Sequence, residues 1–253
     1  MKNVKPLESS ESELDAVINK FSPFLKEVKK RLFFTFSVFI VTTIIGFVFY
    51  EKIIKFLIDI LGLKGINIVF TSPFQFINLA TSCGIVVGLM FVAPLLISQI
   101  LSFLKPALRR KEFKKVIGLL PFSIILFLIG FVFGALIMRW QIQIFLARSV
   151  SLGIGNLLDI SKLLTTVLLT SALMGIGFQL PILLLLLMFV GIIDRQQLSK
   201  YRSWVYLGSF IFAILLPADS IIADILLALP FIFLFELTLI SSYLSKRGKT
   251  DPA

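Results

Sequence analysis

Two carboxylates in this chain stand inside clusters of cations. Glu27 lies in Lys26-Glu27-Val28-Lys29-Lys30-Arg31, and Glu112 lies in Arg109-Arg110-Lys111-Glu112-Phe113-Lys114-Lys115. Pairing along one helix face, Glu27 with Lys30 or Arg31, accounts for such a pattern and is worth only about 0.2–1 kcal/mol when exposed. Two further polar side chains sit in apolar surroundings. Glu236 is flanked by Phe235 and Leu237, and Gln179 immediately precedes Leu180-Pro181. An ionised acid at mid-bilayer costs at least about 2.5 kcal/mol, so Glu236 must face the bundle or a wet cavity. Each of the two is either a polar contact point for something entering the membrane or glue between neighbouring helices.

The residue inventory also removes whole classes of chemistry. There is no His, which excludes imidazole metal sites and His-dependent acid–base catalysis. A single cysteine, Cys83, can form no internal disulfide. An intramembrane aspartyl protease would need two embedded Asp residues as a dyad, whereas Asp219 and Asp224 fall in one short loop. No enzyme, metal or cofactor is expected.

These groups must be carried by membrane-spanning helices. Of the 253 residues, 58% are hydrophobic and 27 are Phe, and mean hydropathy is +1.01. A soluble domain of this size would need far more polar surface. Charge-free windows predict spans at Leu32–Tyr50, Phe74–Leu101 (opened by Ser72-Pro73 as cap and first turn), Val116–Met138, within Leu163–Ile193, Ser203–Ala218, and Ile225–Ser245. The fifth has 16 residues, about 24 Å of helix against a hydrocarbon core of about 30 Å, and the sixth is also short if Asp219 and Asp224 stay in water. Short spans predict local thinning of the bilayer. Of the Lys and Arg residues, 19 fall on the side of both termini and 6 on the other, which places both termini in the cytoplasm or stroma. The net charge of +11 is therefore a signature of topology, and no nucleic-acid partner is expected.

Pro94, Pro181 and Pro230 fall well inside the second, fourth and sixth spans, where each removes a backbone hydrogen bond and predicts a kink. The expected fold is an all-α integral membrane protein: six transmembrane helices with kinked spans forming a concave bundle, both termini on the cytoplasmic or stromal side. Residues 1–31 form an amphipathic amino-terminal segment without a cleavage pattern. Ser10-x-x-Glu13 opens a short helix lying on the membrane surface, and Ser22-Pro23 restarts the helix that becomes the first span. Residues 32–245 are the membrane domain, and residues 246–253 a short basic tail. Glu51 to Leu61 reads as a further interfacial stretch.

In order along the chain, several stretches resemble the TatC family, the polytopic core of the twin-arginine protein translocase. Phe24-Leu25-Lys26-Glu27-Val28-Lys29-Lys30-Arg31-Leu32 resembles the family's His-Leu-x-Glu-Leu-Arg-x-Arg-Leu. Thr71-Ser72-Pro73-Phe74-Gln75-Phe76 resembles the start of its second span. Pro94 through Gln99, Phe103-Leu104-Lys105-Pro106-Ala107-Leu108 and Glu112 follow in the same register. So do Phe178-Gln179-Leu180-Pro181, Leu216-Pro217-Ala218-Asp219, Leu227-Ala228-Leu229-Pro230 and Phe235-Glu236. Departures are Phe24 for His, Lys29 for the first Arg, Ala218 in the Pro-Pro-Asp turn, and Gln179 where many bacterial members carry Glu. The resemblance implies recognition of twin-Arg signal peptides of folded cargo by Glu27 and Glu112. It also implies export driven by the proton-motive force, within an oligomer that includes single-span TatA- and TatB-type subunits among membrane lipids. Gln179 and Glu236 become contacts for the signal's apolar segment or for a partner's span. A plastid thylakoid membrane is favoured over a bacterial inner membrane. The rival reading is a small-solute secondary transporter, which would need two related halves and a charged midplane site.

Overall fold

A computed structural model of the chain describes residues 7–62, 68–69, 72–104, 117–152, 158–217 and 220–247. The elements in order are α1 (Leu7–Val48), α2 (Tyr50–Leu61), β1 (Ile68–Val69), α3 (Gln75–Leu104), α4 (Leu119–Ser151), β2 (Leu158–Asp159), α5 (Ile160–Gly177), α6 (Leu180–Val190), α7 (Arg195–Lys200), α8 (Arg202–Leu215) and α9 (Ile221–Arg247). Five stretches are long and apolar enough to cross a membrane: Lys26–Val48, Gln75–Phe103, Leu119–Ser149, Ile160–Val190 and Ile221–Ser241. The fifth expected span, α8, is shorter, with 14 residues or about 21 Å of helix.

Several boundaries differ from those the sequence predicts. α1 is one 42-residue helix that runs through Ser22-Pro23, so the chain does not restart there. A single missing N–H is tolerated where the rest of a long ladder is intact. α4 continues past Arg139 to Ser151, because Met138 and Ile142 bury against the core one turn apart and carry the helix on. The last span is not short: α9 begins at Ile221 and takes Asp224 into its first turn, where a carboxylate suits the helix dipole. Pro94 and Pro230 lie inside continuous helices, α3 and α9. Pro181 instead divides its span, with α5 ending at Gly177 and α6 starting at Leu180, so Pro181 occupies the first turn of a new helix. The stretch expected to be interfacial forms α2, which buries Leu57 and Leu61 and closes on Gly62 in the left-handed conformation at φ 69°. The two-residue parallel pairing of β1 with β2, Ile68 opposite Leu158, had no sequence signal.

The bundle is assembled by close approach of small residues. α1 packs on α3, α3 on α5, α4 on α5, and α8 on α9. Lipid offers no hydrophobic drive for helix association, so backbone proximity and van der Waals contact must supply it. Gly84-Ile85-Val86-Val87-Gly88 provides that approach on α3. A Cβ at Gly84 would lie 2.6 Å from the Thr43 carbonyl oxygen, and one at Gly88 would lie 2.5 Å from Thr43 Oγ1 and 2.7 Å from the Phe39 ring. Gly130-Phe131-Val132-Phe133-Gly134 repeats the arrangement on α4, where Cβ atoms would meet Phe178 at 2.6 Å and the Ser171 Cα at 2.9 Å. Around these seams Leu79, Leu164, Val167, Ala172, Met174, Ile182, Leu186, Leu227 and Ala228 are fully buried, so the core centres on α5 and α6. The outer faces are apolar and exposed, as with Phe33, Phe36, Ile40 and Ile44 along α1.

Gly84→Ala is therefore expected to destabilise the detergent-solubilised protein by about 1–3 kcal/mol, since the blocking atom is backbone and cannot rotate away. Gly208→Ala, with nothing within 4 Å, is expected to leave the thermal unfolding midpoint unchanged or raise it slightly. Equal midpoints for the two variants contradict the close-approach account.

Candidate functional site

The amino-terminal end of the first span and the far end of α3 meet through one guanidinium. Arg31 donates from Nη2 to Glu27 Oε1 at 2.6 Å and from Nε to the same oxygen at 3.2 Å. Its Nη1 reaches across to α3, 3.0 Å from Gln99 Oε1 and 3.3 Å from the Gln99 carbonyl oxygen. The four-residue spacing puts Glu27 and Arg31 on one face of α1, and antiparallel packing of α1 on α3 delivers Gln99. The Glu27 side chain is 49% exposed and that of Arg31 24%, so the carboxylate faces outward while the guanidinium is tucked behind it. Lys26, Lys29 and Lys30 are exposed around it. α3 reaches this end of the bundle at Leu104, where the chain enters residues 105–116. Glu112 lies in that segment, outside the described residues.

Gln179 turns inward. It is 6% exposed, its Nε2 donates to the Ser123 carbonyl oxygen at 2.9 Å, and its Oε1 accepts from Ser123 Oγ at 2.7 Å. Both ends of the amide are thus held by one residue of α4, at the point where Pro181 breaks the α5–α6 span. An amide in hydrocarbon needs such partners, and the break leaves the amide room to reach them. Glu236 is paired as well. Tyr206 OH donates to Oε1 at 2.6 Å, and Arg202 Nη2 lies 3.2 Å from Oε2. Arg202 and Tyr206 are one turn apart on α8, so a single helix face supplies both a cation and a hydroxyl to the carboxylate of α9. The side chain of Glu236 keeps 30% exposure.

Next to that pair the α6, α8 and α9 helices leave an apolar hollow of about 350 Å³, lined among others by Pro181, Val205, Phe212, Phe231 and Phe235. Gly208 and Ser209 form its small-residue wall. Of the three prolines expected to kink their spans, Pro181 lines it. At the opposite end of the bundle, Gln75 Nε2 donates to Asp159 Oδ2 at 2.7 Å and Ser161 Oγ donates to the Gln75 carbonyl oxygen at 3.0 Å. Asp159 also caps α5, accepting from the Lys162 N–H at 3.1 Å.

Sequence reasoning singled out Glu27, Gln179 and Glu236 but not all of the side chains they meet. Arg31 was legible from its spacing. Gln99, which meets the Arg31 guanidinium, and Ser123, Tyr206 and Arg202, which meet Gln179 and Glu236, were not, because each contact joins helices across 30 to 68 residues of chain. The only available hint was that Gln99 belongs to the same set of stretches as Glu27.

Comparison with known proteins places this geometry in context. The profile of the family described as Sec-independent protein translocase protein (TatC) matches residues 23–230. The Sec-independent protein translocase protein TatCy of Bacillus subtilis is 27% identical over 225 residues, covering 86% of each chain. The uncharacterized tatC-like protein ycf43 of Trieres chinensis is 32% identical over 220 residues, covering 85% of this chain and 81% of its own. Among solved structures, the twin arginine translocase receptor TatC crystallised in DDM is similar, with a TM-score of 0.76 and 25% identity over 85% of this chain and 97% of that one. Together with five span-length apolar helices, these matches make the chain a multi-pass integral membrane protein.

A double-mutant cycle on Gln179→Leu and Ser123→Ala is expected to give a coupling of about 0.6–1.7 kcal/mol in unfolding free energy, the range for interhelical hydrogen bonds in a bilayer. Ser123→Ala alone costs less than Gln179→Leu, because the bond to the Ser123 carbonyl survives it. Additive effects of the two substitutions contradict the pairing.

Proposed function

The chain belongs to the TatC family of Sec-independent protein translocase proteins, and from that premise we propose that it is the receptor subunit that binds twin-Arg signal peptides. The observation that supports this most is the Glu27 carboxylate. It stands half exposed at the end of a membrane-spanning helix, ringed by cations, and its geometry already accommodates a guanidinium. Glu112 is the second carboxylate of the docking surface, carried by the segment that follows α3. Two acids on one face can each take one guanidinium of an arginine pair. Lysine, a strongly hydrated point charge without a planar fork, gains less at either.

The apolar part of the signal, or the span of a TatA- or TatB-type partner, then lies against the bundle near the hollow between α6, α8 and α9. Glu236 is the polar contact there, with Arg202 and Tyr206 holding it in place. Gln179 acts one layer behind, keeping the α5–α6 break in register on α4 rather than touching the signal itself. In this reading the subunit works within an oligomer that exports folded proteins on the proton-motive force, with six spans and both termini on the cis side. The 14-residue α8 thins the surrounding bilayer. The membrane we assign is the thylakoid, on the Phe178-Gln179-Leu180-Pro181 stretch.

Site-specific cross-linking of a twin-Arg precursor to the membrane-embedded protein tests the receptor step. Glu27→Ala and Glu112→Ala are each expected to lower the yield about tenfold or more, the loss that follows removal of a charge-assisted hydrogen-bonded pair. Exchanging the precursor's arginine pair for lysines is expected to do the same with the unaltered subunit. Undiminished cross-linking in both variants contradicts the assignment.

A further inference from the structure

Arg31 already places a guanidinium on the carboxylate that the proposed function reserves for a ligand. Its two donors converge on one oxygen, Nη2 at 2.6 Å and Nε at 3.2 Å from Glu27 Oε1. A fork that matches a carboxylate sets one donor on each oxygen, so the resident pair is incomplete. Among the described residues no donor is directed at Oε2. Arg31 is meanwhile not dependent on Glu27 alone, since Nη1 keeps the side-chain and backbone oxygens of Gln99 at 3.0 and 3.3 Å. Released from the carboxylate, Arg31 stays docked on α3 and is not left unsatisfied. The exchange takes place at a surface, where an ion pair is weak, and not in a core, where breaking one is costly.

We propose that Arg31, anchored on Gln99, is a resident competitor for Glu27. A peptide guanidinium takes the carboxylate by displacing Arg31, and the strength of the internal pair sets the affinity of the site. The proposal rests on the reading of Glu27 as a receptor carboxylate. It also gives a physical reason for demanding two arginines. A single incoming guanidinium only replaces one arginine with another at Glu27. The gain there is what a complete two-oxygen fork adds over the weak resident pair, and a second guanidinium on a second carboxylate adds to it. Gln99 strengthens the competition by holding Arg31 close, which removes much of the entropy cost of keeping a long side chain on its partner.

The test is equilibrium binding of a synthetic peptide, bearing an Arg-Arg pair ahead of an apolar segment, to the full chain in lipid nanodiscs. Arg31→Gln is expected to tighten binding about two- to fivefold, the factor that corresponds to one exposed ion pair. Gln99→Leu, which keeps the charge of Arg31 but frees its anchor, is expected to tighten it by less. In a Glu27→Gln background, where binding is weak, Arg31→Gln is expected to change nothing further. If Arg31→Gln and Gln99→Leu both weaken binding while Glu27→Gln also weakens it, the receptor carboxylate stands but Arg31 positions it rather than competing, and the proposal is overturned. If Glu27→Gln leaves binding unchanged, the receptor reading falls and the competition with it. Unchanged unfolding midpoints in the variants separate either result from misfolding.

Discussion

Inside hydrocarbon there is no water to complete a hydrogen bond, so a polar side chain carried into the spans needs a partner in the protein, although Thr43 Oγ1, Gln141 Oε1 and Thr170 Oγ1 are buried without one. That requirement fixes how these helices are arranged against one another. Gln179 is placed by Ser123, Glu236 by Tyr206 and Arg202, and Gln75 by Asp159. The first two ties each link two helices, and the third links α3 to the strand residue that caps α5. The glycine seams then bring the backbones close enough for dispersion contacts to hold the bundle.

The same requirement relaxes at the amino-terminal end of the first span, where the helix leaves its apolar stretch. Glu27 and Arg31 there are paired but not sealed, and the carboxylate keeps half its surface open. A pair that would be structural glue at mid-bilayer becomes exchangeable at the interface, because water and neighbouring acceptors share the cost of separating it. The chemistry proposed for the chain depends on this difference in depth. Glu236, with two partners from one helix face, is held; Glu27, with one incomplete partner, is available.

How much of this was legible in the residues follows from what each feature depends on. Charge-free length is a local property, so five span-length helices and the short α8 could be read directly. Helix ends depend on packing further along the chain, so Arg139 gave a false stop to a helix that Ile142 carries onward. Proline position was readable but its consequence was not: Pro94 and Pro230 sit in unbroken helices, while Pro181 starts a new one. The Glu27–Arg31 spacing was local and visible. The arrival of Gln99 beside them, or of Ser123 beside Gln179, depends on antiparallel packing that no window of sequence contains.

The central claim is that Glu27 and the segment of Glu112 share one aqueous surface on which two guanidinium groups can dock together. Labelling with a membrane-impermeant maleimide tests it directly, using Lys26→Cys and Lys111→Cys in a chain whose buried Cys83 is replaced by Ala. The account predicts that both positions react only from the side that carries the chain termini. Reaction of the two positions from opposite sides of the membrane would leave no shared docking surface and would contradict it.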